Sequence, residues 1–293
     1  MEISIITDEL SADPETAIEL GAAWGVRNFE LRGFFTERVP QFSSYQKQHL
    51  RDILDRYGAR IIAIGPGIFK LPLPPPEPAR YSLSWMDSAG YKAWEAERHT
   101  VQYHLKELLP KSIEYALQLG AERIVAFGFD RNGAPEGTPP DEILEFLSKA
   151  AQAAHAAGVQ LVLENESGFW ADTGARTAAI VREINHPGLA VNWDPANAFF
   201  AGDCPFPGGY QAVRTYVRHV HVKDARRRVD GTAEYVGEGE IDWPGQILAL
   251  MKDGYNGYLS VETHLQPKVA EARASVQRLE QWIAQASKQS GNN

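Results

Sequence analysis

Residues 217–226, VRHVHVKDAR, set two histidines two apart on an apolar run and follow them with Lys223 and Asp224. Side chains of an extended strand alternate between faces, so His219 and His221 point the same way. His221 lies nearer the strand's C-terminal end and is the better metal ligand. His219, one layer deeper, suits a buried hydrogen-bonding partner. Three other apolar runs close on a carboxylate: QLVLEN at Glu164, LAVNWD at Asp194 and GYLSVET at Glu262. RNFELR carries Glu30 in the same way.

Brought together, Glu164, Asp194, His221 and Glu262 would offer three carboxylates and one imidazole. Carboxylates crowded without a cation repel, and at least one would have its pKa raised. This hard, oxygen-rich set suits one divalent metal ion, Mn2+, Mg2+, Co2+ or Zn2+, with open positions for substrate oxygens or water. A salt-bridge network with arginines is the structural alternative for the same residues.

Whether these residues meet depends on the elements that carry them. Short β-branched runs alternate with longer amphipathic ones along the chain. The first strand, at 3–6, precedes a helix with Asp13 as N-cap and Pro14 at its first position. Further helices are expected at 91–120, 140–158, 173–184, 210–216, 243–253 and 269–286, each between strand-like runs. Eight such pairs in 293 residues predict a (β/α)8 TIM barrel as a single domain. A doubly wound sheet would carry a glycine-rich loop after its first strand, and ISIITDELSADP has no glycine. Barrel active sites lie at the C-terminal ends of the strands, so residues ending four consecutive strands converge on one side of the mouth. The proline- and aromatic-rich stretch 66–90 interrupts the rhythm and reads as a lid or pocket wall.

Composition narrows the functional classes. A net charge of −9 argues against affinity for a nucleic-acid backbone. The dense basic cluster Arg226, Arg227 and Arg228 could still serve a small anion. The lone Cys204 cannot form an internal disulfide. No apolar run approaches a membrane span, and the acidic start is unlike a signal peptide, so a cytoplasmic protein with no membrane partner is expected.

The segments WGVRNFELRG, GVQLVLENESG, LAVNWDPANAFFAGD, VRHVHVKDAR and VGEGEIDWPGQILALMKDGYNGYLSVET together resemble the sugar phosphate isomerase/epimerase family of xylose isomerase-like barrels. The likeness spans nearly the whole chain, motif by motif in its second half. It implies one divalent metal on Glu164, Asp194, His221 and Glu262, with Glu164 and Glu262 doubling as catalytic proton carriers. The implied substrate is a small sugar, keto-sugar or polyol, isomerised or epimerised through an enediolate. A dehydratase of the inosose type and a sugar-binding barrel without turnover are the alternatives. An apurinic endonuclease shares the barrel but needs further histidines from the early strands. Homo-oligomers are compatible with the resemblance.

Two positions depart from the pattern. Many relatives have a histidine where this chain has Glu166, and ketose epimerases typically have one where it has Asn197. Both residues are candidate substrate contacts, together with Glu30, Lys223, Asp224, Glu238 and the loop aromatics Trp170 and Phe199. Trp193 alternates away from the mouth and is expected between barrel and helices.

Overall fold

In the computed structural model, which describes residues 1–73 and 100–290, eight strands pair in parallel and close on themselves. They are β1 (Glu2–Ile6), β2 (Asn28–Leu31), β3 (Arg60–Ile68), β4 (Arg123–Phe127), β5 (Gln160–Glu164), β6 (Leu189–Trp193), β7 (Val217–Val222) and β8 (Tyr258–Val261). β1 closes the barrel by pairing with both β2 and β8. With helices outside and side chains inside, both strand faces are covered, which is why β5 reads as an unbroken apolar run. Leu161, Val162 and Leu163 are all fully buried.

The helices are α1 (Pro14–Ala23), α2 (Ser44–Tyr57), α3 (Leu109–Leu119), α4 (Asp141–Ala156), α5 (Gly174–Ile184), α6 (Pro195–Phe200), α7 (Tyr210–Val213), α8 (Trp243–Lys252) and α9 (Lys268–Ser290). Their starts are set locally. Asp13 accepts a hydrogen bond from the Thr16 amide at 2.8 Å, and Ser43 with Gln46 forms a capping box ahead of α2. Trp193 is buried as expected, its indole donating to Gln246 of α8 at 3.0 Å.

The middle of the chain departs from expectation. β3 runs on to Ile68, past the expected start of the excursion at 66, and Leu73 then pairs with Asp130 through its amide. The rest of that excursion, 74–90, and the first part of the helix expected from 91 lie outside the described residues. Helical structure begins at Val101 and passes through a π-turn, His104–Leu108, into α3. The helix expected at 210–216 stops at Val213.

Two hairpins escaped the sequence reading. Gly33–Phe34 pairs with Glu37–Arg38 beyond β2, and Asp224–Arg227 pairs with Ala233–Val236 beyond β7. Their strands are only two or four residues long, so no hydrophobic alternation marks them. The second did carry a turn signal in Asp230-Gly231, where Gly231 adopts φ of 84°.

Candidate metal centre

Glu164 ends β5, Asp194 follows β6, His221 lies on β7 and Glu262 follows β8, so neighbouring strands deliver the four side chains to one side of the mouth. One ligand atom from each lies within 4.8 Å of all the others, and all four residues are buried. The Nδ1 of His221 faces Glu164 at 3.4 Å and Glu262 at 3.2 Å without a well-aligned hydrogen bond. Its Nε2 lies 3.0 Å from Glu30 and 3.1 Å from the Asn192 amide. A carboxylate behind the ring fixes its orientation and leaves Nδ1 directed at the cluster.

Glu30 holds His219 as well, at 2.8 Å, and Ser260 lies 3.1 Å from the same His219 nitrogen. The layer beneath the cluster is therefore polar, in contrast to the branched apolar layers common in such barrels. Burial alone would raise the Glu30 pKa, but the charge of His221 and the hydrogen bond from His219 hold it far below the carboxylate range.

The electrostatics of the cluster fit a bound cation. Burial, with Glu164 and Glu262 adding to it against the pull of Lys223, pushes Asp194 up to about 6. Burial opposes charge on His221 too, yet Glu30, Glu164 and Glu262 drive its pKa well above the usual imidazole value. Burial opposes charge on Glu164 and Glu262 as well, but His221 holds Glu164 below the usual carboxylate value and Lys223 with His221 holds Glu262 well below it. Both therefore stay ionised around an imidazole nitrogen with no aligned partner, the donor set of a divalent-ion site.

A cation is already built in. Lys223, also buried, places its Nζ 2.8 Å from Asp194 and 2.8 Å from Glu262. Arg32 makes a further close ion pair with Glu262 and binds Asp8 and Glu9 at 2.9 Å each. Among the described residues, the arginine network weighed as the alternative is thus present at Glu262 only. Glu164 is held by amides, Asn197 at 3.2 Å and Asn192 at 3.4 Å.

A cavity of about 150 Å³ opens over the cluster, lined by Glu30, Glu164, His221, Lys223 and Glu262. Arg32, Arg38, Lys70, Glu166 and His264 complete its polar wall, with Ile6, Val125 and Phe127 as the apolar part. Glu166 is tied to Lys70 at 2.8 Å.

The other expected substrate contacts are used differently. Asn197 is buried in the first turn of α6, donating to Glu164 and to the Asn165 carbonyl. Asp224 turns from the cavity to accept the amides of Ala225 and Gly239 at 2.8 Å each, which satisfies a loop that would otherwise leave those amides unpaired. Glu238 points outward, 81% exposed, with Arg278 at 3.9 Å. Trp170 is packed in the core and donates to the Leu73 carbonyl, and Phe199 is buried under the Arg227 guanidinium. Neither aromatic lines the cavity. Arg226 and Arg228 both pair with Glu234.

Four basic cavity residues were missed, besides the apolar and glycine lining. Arg32 follows Glu30 by two, and His264 follows Glu262 by two, so strand alternation could have found both. Arg38 and Lys70 lie beyond strand ends, where no periodicity applies.

A closed parallel barrel with an acid–histidine cluster at its mouth defines the structural class. The chain belongs to the xylose isomerase-like TIM barrel family, whose pattern matches residues 18–282. No curated protein is significantly similar to it. Among solved structures, an L-ribulose 3-epimerase is 18% identical, covering 99% of this chain and 97% of its own, at a TM-score of 0.67. A xylose isomerase-like TIM barrel protein from Mycobacterium smegmatis in complex with magnesium is 14% identical over 97% of each chain, at 0.71. A probable 3-DHS dehydratase from Bacillus anthracis is 14% identical over 96% of this chain and 99% of its own, at 0.67. Among the described residues, no helix is long and apolar enough to cross a membrane.

Proposed function

We propose that this protein is a divalent-metal-dependent isomerase or epimerase of a small sugar, keto-sugar or polyol. The observation that carries the reading is His221 Nδ1, turned toward Glu164 and Glu262 by the Glu30 carboxylate behind it. Glu164, Asp194, His221 and Glu262 would hold the ion. When bound, it would supply positive charge to oxygens on adjacent substrate carbons and so lower the cost of removing the proton between them.

The chain's own residues would do the rest. Glu164 and Glu262 both line the cavity, so each can reach a substrate carbon and take or return a proton. Amides hold Glu164 in place, while Lys223 and Arg32 hold Glu262. The apolar side formed by Ile6, Val125 and Phe127 limits the water that could compete for the proton.

That asymmetry favours a second reading on the same site. Among the described residues Lys223 and Arg32 bind Glu262, which His221 and His264 also approach, whereas His221 alone of the basic side chains approaches Glu164. One carboxylate could thus move the proton and a neighbouring hydroxyl leave as water. The dehydratase among the structural neighbours supports this reading as the epimerase supports the first.

The test is elemental analysis of the parent and its His221→Ala variant, both loaded with metal and desalted. About one equivalent in the parent and none in the variant is expected. Equal metal in both, or none in either, would remove His221 as a ligand. Proton exchange of ketoses and inososes in heavy water then separates proton transfer from loss of water, and absence of any turnover would leave a binding protein.

A further inference from the structure

We infer that the substrate carries an anionic oxyacid group, a carboxylate or phosphate, and that Arg38 is the residue that binds it. This rests on the cavity being the substrate site.

The basic residues lining the cavity are almost all neutralised. Arg32 is paired with Asp8, Glu9 and Glu262, Lys223 with Asp194 and Glu262, and Lys70 with Glu166. His264 stands 3.5 Å from both Glu9 and Glu262. Arg38 is different. Among the described residues its guanidinium makes one hydrogen bond, from Nε to the Gly65 carbonyl at 2.8 Å, and no ion pair. A guanidinium has five N–H donors, so most of them remain available on a residue that borders the cavity and keeps an exposed surface.

Backbone contacts hold Arg38 at the cavity. Arg38 sits on the hairpin beyond β2, whose base is fastened by the Val39 amide to the Arg32 carbonyl at 3.1 Å. The guanidinium lies against Gly67, where a Cβ would stand 3.4 Å from its Nε and Cζ, and where φ is +83°. Glycine at 67 thus makes room for the group as well as for the backbone turn. With Nε engaged, the two terminal nitrogens form a fixed fork whose spacing matches the oxygens of a carboxylate or phosphate. Asp8, Glu164 and Glu262 act on Arg38 only at a distance, so a neutral sugar would leave that fork without a directly paired carboxylate. The exposed arginine cluster at 226–228 offers no equivalent, because Glu234 occupies two of its members.

The experiment is calorimetric titration of the full chain, metal-free and Mn2+-loaded at constant ionic strength, with inorganic phosphate, glycolate and glycerol as probes. Parent, Arg38→Ala and Arg38→Lys are compared. One anion should bind the parent saturably, with affinity lowered about tenfold or more in Arg38→Ala and partly restored in Arg38→Lys. Glycerol should behave alike in all three. A response to phosphate alone or glycolate alone identifies the group. Equal anion affinity in parent and Arg38→Ala, or no anion binding to the parent, would overturn the inference. Metal content, expected to match across the three proteins, reports separately on the metal centre and on folding of the variants.

Discussion

The ammonium of Lys223 lies 2.8 Å from Oδ2 of Asp194, with both side chains buried. The other oxygen of that carboxylate accepts the Asn197 amide at 2.9 Å and caps α6. Oδ2 is therefore the oxygen left for a cation, and Lys223 already holds it. A divalent ion must share this oxygen with the ammonium or displace it.

Lys223→Met keeps most of the length of the side chain and removes its charge. Without an added ion, Asp194 and Glu262 would lose their common partner, at a cost of about 3 kcal/mol in stability. With the competing charge gone, Mn2+ should bind about tenfold more tightly. Urea denaturation of the metal-free protein and calorimetric metal titration measure the two effects. Weaker metal binding in the variant would mean that Lys223 organises the carboxylates instead of competing for them.

Glu30 orients both histidines, with Oε2 at 2.8 Å from His219 and 3.0 Å from His221. Glu30→Gln preserves the shape but not the charge behind the rings. Metal affinity should fall about 10- to 100-fold, as is usual when the partner of a ligating histidine is lost. The same titration checks it, and unchanged affinity would show that Nδ1 needs no such support.

The barrel and its four converging residues were legible because both rest on periodicity. Strand alternation put His219 and His221 on one face, and the βα rhythm put Glu164, Asp194, His221 and Glu262 at neighbouring strand ends. The same alternation placed Trp193 against α8. It says nothing about loops, where backbone hydrogen-bonding needs decide the outcome. Asp224 was expected in the site because it follows Lys223, but unpaired amides at Ala225 and Gly239 claim its carboxylate. Trp170 and Phe199 looked like a sugar-binding wall, yet the core had room for both. Arg38 was invisible because a two-residue strand leaves no pattern.

The role of Asp224 can be tested directly. Asp224→Ala leaves the amides of Ala225, Gly239 and Ile241 without their acceptor. A loss of about 1–3 kcal/mol in stability is expected, with no change in metal stoichiometry. Denaturation and elemental analysis on one preparation decide the matter. Lost metal at unchanged stability would return Asp224 to the site.

Glu9 supplies the pH dependence. It is 2% exposed, and burial alone would raise its pKa, but His264 and Arg32 lower it from 4.5 to about 2. Its carboxylate also accepts the Thr263 hydroxyl and the His264 amide, each at 3.1 Å, so it fastens the segment just beyond Glu262. A depressed carboxylate pKa means that the unfolded chain takes up the proton first as pH falls. The stabilisation is complete above about pH 4.5, fades as pH drops toward 2, and amounts to about 3 kcal/mol. Glu9→Gln should be less stable than the parent at pH 7 by about this amount, and the difference should shrink as pH approaches 2. Urea denaturation of both proteins at pH 7, 4 and 3 measures it. A gap that stayed constant with pH would assign the effect of Glu9 to packing and not to its charge.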